Sequence, residues 1–351
     1  MKDVVVSVKV DDKPKGMDGP GILLVSTEKE RAAEAYTDLG HIENEWGRGS
    51  KVYGKASALF CQGGAQPSPP KLVREVTVLG VGDVGTPDEL AEKIREYGSR
   101  DDSWYIFLTD RTEDEYIRKL SEFAAASEPT EAGLMSGEED NRKVYFAETS
   151  NKELEGVSGR SVIVYTPELE RHLDAAYLGA VMPWYPRHVT WKFKLPQGTD
   201  APELTDQERD LLEKRHINYV SDEYKNRYMK NGVCADGEWI DSLLGADWVA
   251  RDMRNELYAV FRQNEIVPYT DEGFALIGMA VFRTMDRAVK HGIIASDRES
   301  GAGVYKVGIP ARSTATEEQA RAREMPDITW EAQLEGAVHR AVTKGVLKVS
   351  L

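Results

Sequence analysis

The sequence predicts an α/β sheet domain followed by a C-terminal domain of two long helices and short strands. The fold class is therefore α/β for the sheet domain and α+β for the chain as a whole. Strand-like apolar runs alternate with helical stretches up to about residue 216, which is the order of an α/β layer. Beyond residue 236, two long amphipathic stretches follow each other directly. With 351 residues, 41% of them hydrophobic, the chain can bury a core over about two or three domains. We place the domains at residues 1–20, 21–235 and 236–351.

The first predicted element is an N-terminal strand, because Val4, Val6, Val8 and Val10 recur with a period of two. Residues 11–21 are rich in turn formers and predict a loop. Short apolar runs then predict strands at Ile22–Ser26, Val73–Val81, Ser103–Thr109, Lys143–Glu148, Ser161–Tyr165 and Val189–Leu195. Amphipathic periodicity between these runs predicts helices at Lys51–Gln62, Pro87–Tyr97, Glu113–Ala126, Leu169–Val181 and Asp206–His216.

The character of the sequence changes after Asn231-Gly232, a dipeptide that predicts a hairpin turn. Two long helices are predicted beyond it, near Asp247–Gln263 and Asp271–His291. Thr270 is placed to cap the second of these helices, and Gly292 to end it. Short strands are predicted at Val304–Ile309, Ile328–Gln333 and Gly345–Leu351, the last of which contains Leu347, Val349 and Leu351.

The charge of the chain excludes highly negative surfaces as general partners. Its formal net charge is −15, so most of its surface would repel nucleic acid or an anionic membrane. The charge is uneven, with −13 in residues 1–240 and −2 in residues 241–351. No apolar run approaches the roughly 20 residues of a membrane-spanning helix, and the N-terminus lacks a signal-peptide pattern. We therefore expect a protein made in a cytoplasm.

One formal nucleotide-binding motif occurs, the G-x-G-x-x-G of residues 80–85, between a predicted strand and a predicted helix. It supports an alternative hypothesis, a cytosolic α/β enzyme that binds a nucleotide at this turn. Two features oppose that hypothesis. Thr86 and Pro87 start the helix after the third glycine, whereas in a dinucleotide site the helix starts inside the glycine run. Asp83 and Asp88 would also place negative charge beside a phosphate.

Other catalytic or ligand-binding patterns are weak. None of the six histidines lies at the i, i+4 spacing of a metal-binding pair, and H-E-x-x-H does not occur. Cys61 and Cys234 are the two cysteines, too few for a disulfide framework or a thiolate metal site. There is no G-x-S-x-G nucleophile pattern. We therefore predict no catalytic residues, no cofactor and no metal.

The second long helix carries Arg283, Arg287 and Lys290 on one face, at i, i+4 and i+7. Phe274, Ile277, Val281, Met285 and Ala288 line the opposite face. Two interpretations of the basic residues stay open at this point. They form either a solvated cationic face or a contact to an acidic partner.

Several segments, in the same order along the chain, resemble contractile phage tail sheath proteins, closest to the compact sheath-like family of myophages and phage-tail-like bacteriocins. Near the end, residues 326–329 and 334–339 resemble the family's aGAiH-type ending, with Glu335 where a small residue is more usual. The other segments are Tyr53-Gly54-Lys55-Ala56-Ser57-Ala58-Leu59-Phe60, Trp104-Tyr105-Ile106-Phe107-Leu108, Asp247-Trp248-Val249, Val267-Pro268-Tyr269-Thr270-Asp271-Glu272-Gly273 and Gly292-Ile293-Ile294-Ala295.

The resemblance implies a structural protein without catalytic activity. Many copies would stack as six-membered rings into a helical sleeve around a tail tube, and the sleeve would contract to drive the tube through a cell envelope. It implies an outer α/β domain and an inner C-terminal domain that is completed by strands from neighbouring subunits. The implied partners are further copies of the chain, the tail tube, the baseplate and the tail terminator. The implied location is a virion or bacteriocin particle assembled in the host cytoplasm.

Two sets of residues acquire roles in this interpretation. The alternating terminal strands at residues 4–10 and 346–351 are suited to pairing with a neighbouring subunit, because unpaired edge strands favour aggregation in a lone protein. The basic residues Arg283, Arg287 and Lys290 become the predicted tube-facing set. Exposed ion pairs contribute only about 0–1 kcal/mol each, but repetition around each ring would make the attachment cumulative.

Overall fold

The computed structural model describes residues 21–63, 71–130, 133 and 140–341. The predicted terminal strands at residues 4–10 and 345–351 lie outside these residues. The described chain has two compact units, an N-terminal unit that ends at Asn255 and a C-terminal unit that starts at Glu256. This division falls inside a helix, whereas the sequence led us to place an edge after residue 235.

The N-terminal unit is built on one eight-stranded mixed sheet. The eight strands are β1 Gly21–Ser26, β2 Glu30–Tyr36, β3 Val76–Val81, β4 Trp104–Thr109, β5 Val144–Thr149, β6 Ser161–Tyr165, β7 Asn218–Glu223 and β8 Asn226–Lys230. Their order in the sheet is β2-β3-β1-β4-β5-β6-β7-β8. Strands β3, β1, β4, β5, β6 and β7 run parallel, and the edge strands β2 and β8 are antiparallel to their neighbours.

Helices cover both faces of this sheet and bury an apolar core on each. The first core contains buried residues from α1 Leu39–Trp46, α2 Lys51–Phe60 and α5 Leu173–Val181. The second contains buried residues from α3 Pro87–Gly98, α4 Asp114–Ala126 and α6 Asp206–Lys214. Because the central strands are buried on both faces, they are continuous apolar runs rather than alternating ones, as β4 and β5 show.

Two helices, a short helix and a small sheet follow. They are α7 Ile240–Gln263, α8 Asp271–Lys290, β9 Tyr305–Gly308, α9 Glu317–Ala322 and β10 Thr329–Ala332. Helix α7 contributes its first sixteen residues to the N-terminal unit and the rest to the C-terminal unit. None of the helices in the described part of the chain combines the length and the apolar character that a bilayer span requires.

The predicted fold class is confirmed, two local predictions are wrong, and one predicted helix differs at its start. Residues 189–195 are irregular rather than a strand, although Phe193 N–H donates to the Met229 carbonyl at 3.1 Å. The hairpin turn lies at Tyr224 and Lys225, both at positive φ, and not at 231–232. A separate left-handed bend occupies residues 231–232 after β8. The predicted helix from Leu169 begins with a 3₁₀ turn, and α5 starts at Leu173.

Candidate functional site

The start of helix α8 explains one of the segments that resembled sheath proteins, residues 267–273. The Thr270 side chain accepts a hydrogen bond from Gly273 N–H at 3.3 Å, which caps the helix as predicted. Gly273 packs directly on the preceding backbone, because a Cβ at this position would lie 1.8 Å from the carbonyl oxygen of Pro268. The segment therefore needs a glycine to enter α8 at this angle.

The basic face of α8 is organised around an acidic residue that the sequence analysis did not include. Arg283 Nε lies 2.6 Å from Glu256 Oε2, and Arg287 Nη2 lies 2.8 Å from Glu256 Oε1. Burial tends to raise the pKa of Glu256, and the two arginines outweigh that effect and hold it below its usual value. The carboxylate of α7 thus bridges two of the three predicted tube-facing cations, while Lys290 lies exposed in the last turn.

The buried face of α8 agrees with the predicted apolar stripe. Phe274, Val281, Met285 and Ala288 are buried, and Ile277 is half-buried. The basic side chains lie away from this face, since Arg283 and Lys290 are exposed and Arg287 is half-buried. One face of the helix therefore carries an organised set of charges, and the opposite face is buried.

Within residues 256–341, the C-terminal unit contains a sheet of two short antiparallel strands. Trp330 of β10 pairs with Val307 of β9, and the two outermost pairs are Thr329 with Gly308 and Ala332 with Tyr305. Each strand has four residues, and neither pairs with a third strand within residues 256–341. Two-stranded sheets of this length are marginal by themselves, so further pairing at their edges would stabilise them. Residues 293–296 already make isolated bridges beside these strands, between Ile294 and Leu334 and between Ser296 and Gly303.

Exposed apolar side chains are concentrated in the same unit. Neither of the two core clusters of the described chain extends beyond Leu244. Nine of the thirteen large exposed apolar residues among those described lie after residue 255, and they are Phe261, Ile266, Leu276, Met279, Val304, Ile309, Trp330, Leu334 and Val338. Concentrated apolar exposure of this kind marks interaction surfaces.

The glycine turn at residues 80–85 is explained by packing and capping. Gly80 approaches the edge strand so closely that a Cβ would lie 2.4 Å from the carbonyl oxygen of Lys29. The carboxylate of Glu89 accepts a hydrogen bond from Gly85 N–H at 3.0 Å, and the Thr86 side chain accepts one from Glu89 N–H. The backbone N–H group that would bind a phosphate in a nucleotide site therefore already donates to a side-chain carboxylate.

The crevice between β1 and β4, where the strand order reverses, also holds an internal carboxylate. Doubly wound sheets bind ligands at such a switch point. Here the Asp110 carboxylate accepts hydrogen bonds from Ser26 Oγ at 2.8 Å, Thr27 N–H at 2.7 Å and Thr27 Oγ1 at 3.1 Å. The structure therefore gives no geometric support to a nucleotide site in this part of the sheet.

Two buried charge networks occupy other segments that carried the resemblance. Lys55 of α2 contacts Glu148 and Asp174, with Nζ 3.0 Å from Glu148 Oε1 and 2.6 Å from Asp174 Oδ2. Asp247 of α7 accepts hydrogen bonds from both terminal nitrogens of Arg160 and from the Tyr105 hydroxyl. Both networks lie within the N-terminal unit, and in each of them the surrounding charges compensate for burial.

Comparisons with known proteins agree with this architecture. Residues 240–346 match the family model described as "E217 tail sheath protein gp31-like, C-terminal domain". The chain is similar in structure to a chain of the anti-feeding prophage (AFP) baseplate, a cryo-EM structure with 6-fold symmetrisation. The TM-score is 0.66 at 13% identity, over 98% of this chain and 99% of that one.

A second solved structure with the same fold is the AFP helical sheath in the contracted state, with a TM-score of 0.66 at 11% identity, over 97% of this chain and 99% of that one. No curated protein sequence matches the chain. The chain therefore has the fold of a contractile injection system sheath protein, and its C-terminal part has the sequence character of a tail sheath C-terminal domain. The predicted resemblance to contractile tail sheath proteins is confirmed.

Proposed function

We propose that this protein is the structural subunit of a contractile tail sheath. Copies would polymerise as stacked hexameric rings around a tail tube and contract to drive the tube through a cell envelope. The similarity to a contracted helical sheath carries the proposal, because it extends over nearly the whole of both chains. The match of residues 240–346 to a tail sheath C-terminal domain supports it independently.

The C-terminal unit supports an assembly role on physical grounds. The described part of its sheet has two short strands, and its exposed apolar side chains are covered if neighbouring subunits pack against it. Under the proposal, strands at residues 4–10 and 346–351 of neighbours extend the sheet by β-augmentation. Addition of this kind uses two different surfaces of the subunit, so it continues into an open helical assembly.

The remaining partners follow from the same proposal. The face with Arg283, Arg287 and Lys290 is assigned to the tail tube, and the ends of the sleeve to the baseplate and the tail terminator. Glu256 neutralises part of that basic face, so the tube contact is weaker per subunit than three unpaired cations would provide. The sleeve would be assembled in a host cytoplasm and reside in a virion or a bacteriocin particle, with no enzymatic role.

Electron microscopy of the purified protein tests the proposal. We expect long helical tubes of uniform diameter when the protein is concentrated, and sheaths around tubes when it is co-expressed with its tail tube protein. A chain that stays monomeric at every concentration and with the tube present would contradict the assembly role. Nucleotide retained through purification, and lost in Gly82→Ala, would instead favour the α/β enzyme.

A further inference from the structure

A cluster of three side chains of types that can ligate metals lies at the β2 edge of the large sheet. Glu34 belongs to β2, and His41 and Glu45 lie one turn apart on α1. His41 Nε2 is 3.5 Å from Glu45 Oε1 and 3.9 Å from Glu34 Oε1. One donor atom from each of the three residues lies within 4.8 Å of the other two.

These distances fit the coordination of a small divalent ion. Zn²⁺ binds imidazole nitrogen and carboxylate oxygen at about 2.0–2.2 Å in tetrahedral geometry. Adjacent ligand atoms are then about 3.3–3.6 Å apart, which follows from the same bond lengths. The pair formed by His41 and Glu45 already has this separation. Glu34 Oε1, 3.9 Å from His41 Nε2, has to move closer to complete the geometry.

The donor types also restrict the class of ion. Imidazole suits Zn²⁺ and neighbouring transition metals, whereas Mg²⁺ and Ca²⁺ prefer oxygen alone. Three protein ligands leave a fourth position for water. The His41 side chain is 47% exposed, so an ion can reach the cluster from solvent.

A buried hydrogen-bond chain orients one of the ligands. The Tyr36 hydroxyl donates to Glu45 Oε2 at 2.5 Å and accepts from Trp46 Nε1 at 3.2 Å. Tyr36 has no exposed surface, and its ring meets the His41 ring edge to face at a centroid distance of 5.2 Å. Outer-shell partners of this kind hold a carboxylate and an imidazole in place for a metal.

The Arg31 guanidinium contacts both carboxylates of the cluster. Its Nη2 lies 3.2 Å from Glu34 Oε2 and 2.5 Å from Glu45 Oε1, so the guanidinium supplies the positive charge that the two carboxylates require. Because the Arg31 side chain is one-third exposed, it can turn toward solvent when another cation arrives. Arginine and a metal ion therefore compete for the same oxygens.

We propose that Glu34, His41 and Glu45 bind one divalent transition metal ion of the Zn²⁺ class in exchange for the Arg31 guanidinium. The bound ion would tie the edge strand β2 to helix α1. The proposal does not depend on the sheath function. Our expectation of no metal considered histidine pairs, the H-E-x-x-H motif and the cysteines, and it therefore passed over the i, i+4 pair of His41 and Glu45.

Isothermal titration with Zn²⁺, and visible absorption with Co²⁺ as a probe of tetrahedral coordination, test the site on the full chain. We expect one Zn²⁺ per chain, and no comparable binding of Mg²⁺. His41→Ala should weaken binding at least about 100-fold, since loss of an outer-shell partner alone weakens metal affinity about 10–100-fold. Tyr36→Phe should weaken it about tenfold for that reason.

Two further variants separate a metal site from an ion-pair cluster. Arg31→Met should bind Zn²⁺ more tightly than the wild type, because it removes the competing cation. Glu45→Gln should lose binding while Glu43→Gln, a change of the same kind on the same helix, keeps it. The proposal is overturned if the folded wild type and Arg31→Met both fail to bind Zn²⁺, or if Glu45→Gln and Glu43→Gln bind it equally.

Discussion

Lys55 Nζ lies 2.7 Å from one carboxylate oxygen of Asp174 and 2.6 Å from the other, at a site where both side chains are almost completely inaccessible to solvent. Glu148, at the end of β5, completes the network. Burial raises the pKa of Asp174 to about 6, with the charge of Glu148 acting in the same direction. Burial alone would lower the pKa of Lys55, and the two carboxylates reverse that effect and raise it. A single buried ammonium thus allows two carboxylates to stay inside the N-terminal unit.

Lys55→Met should destabilise the fold by about 3–5 kcal/mol, the usual cost of removing one partner from a buried ion pair. Two carboxylates would then lack their counter-charge in the core. Urea unfolding of the unpolymerised chain, followed by circular dichroism, measures the loss. Lys51→Met, on the exposed side of the same helix, is the control; it gives up one hydrogen bond to the Asp110 carbonyl, so the expected change is about 1 kcal/mol. Equal losses in the two variants would show that the buried network is not what stabilises this region.

The buried ammonium of Lys143 should make the free energy of unfolding depend on pH. This ammonium donates to the Trp104 carbonyl at 2.5 Å and lies over the Trp104 ring, and burial lowers its pKa to about 8. Between pH 8 and the ordinary lysine pKa of 10.5, the unfolded chain holds the proton that the folded chain has released. The contribution of Lys143 to stability therefore rises as pH increases from 8, by up to about 1.4 kcal/mol per pH unit.

Lys143→Met is the control for that pH dependence, because it removes the titrating group. The difference in unfolding free energy between the wild type and Lys143→Met should shift in favour of the wild type from pH 7.5 to about 9.5. Urea unfolding at a series of pH values measures it. A difference that stays constant over this range would contradict the lowered pKa.

Gly273→Ala should destabilise the C-terminal unit by about 1–3 kcal/mol, the range for an overpacked position. The added methyl would overlap the Pro268 carbonyl oxygen, and the backbone before α8 would have to move. Differential scanning calorimetry measures the change in melting temperature. Gly336→Ala, where a Cβ meets nothing within 4 Å, is the matched control and should be nearly neutral. A neutral Gly273→Ala would mean that the entry into α8 tolerates a side chain.

Arg283→Gln combined with Arg287→Gln tests the proposed tube contact. If these cations hold the tube, the double variant should give empty or detached sheaths in negative-stain micrographs of assembled particles. Glu256→Gln is the informative counterpart, because it releases both arginines from their shared carboxylate and should keep or strengthen attachment. Tube-filled particles from the arginine variant, or equal loss of attachment in both variants, would remove the basic face from the tube interface.

Deletion of residues 1–10 tests the proposed exchange of terminal strands. The shortened chain should fold but stay soluble as a monomer, since a neighbour would lose the strand that extends its sheet. Size-exclusion chromatography with light scattering gives the mass, and microscopy shows whether tubes form. Lys2→Gln with Asp3→Asn keeps the alternating valines and should polymerise normally. Tubes formed by the deletion variant would refute the interlocking role of this segment.

The parts of the fold that were predicted correctly are those where one signal dominates. The buried strands β1, β4, β5 and β6 are continuous apolar runs, and α8 has a cap, an amphipathic face and a terminal glycine. Strand β2 was missed because its sequence, Glu-Arg-Ala-Ala-Glu-Ala-Tyr, favours a helix by composition. Its pairing with β3 outweighs that preference, as sheet context often does.

In the candidate sites, too, some features could be predicted from the sequence and others could not. The basic spacing of Arg283, Arg287 and Lys290 could be read within one helix. The part played by Glu256 could not be predicted from the sequence, because its contact with the arginines depends on how α7 packs beside α8. The i, i+4 spacing of His41 and Glu45 was visible in the sequence, whereas the approach of Glu34 depends on the unpredicted strand β2. Contacts within an element follow from periodicity, and contacts between elements need the tertiary structure.

The four-residue strands β9 and β10 bear on how a sheath could be built without errors. Strands this short offer each incoming subunit only a few backbone hydrogen bonds, each worth about 0.5–1.5 kcal/mol net. Under the proposed function, one misplaced subunit would dissociate quickly, while a subunit that also meets the tube and the ring below would be retained. Short strands would thus delay spontaneous nucleation. During growth they would allow a misplaced subunit to leave, so that only subunits in register with the tube and the ring below are kept.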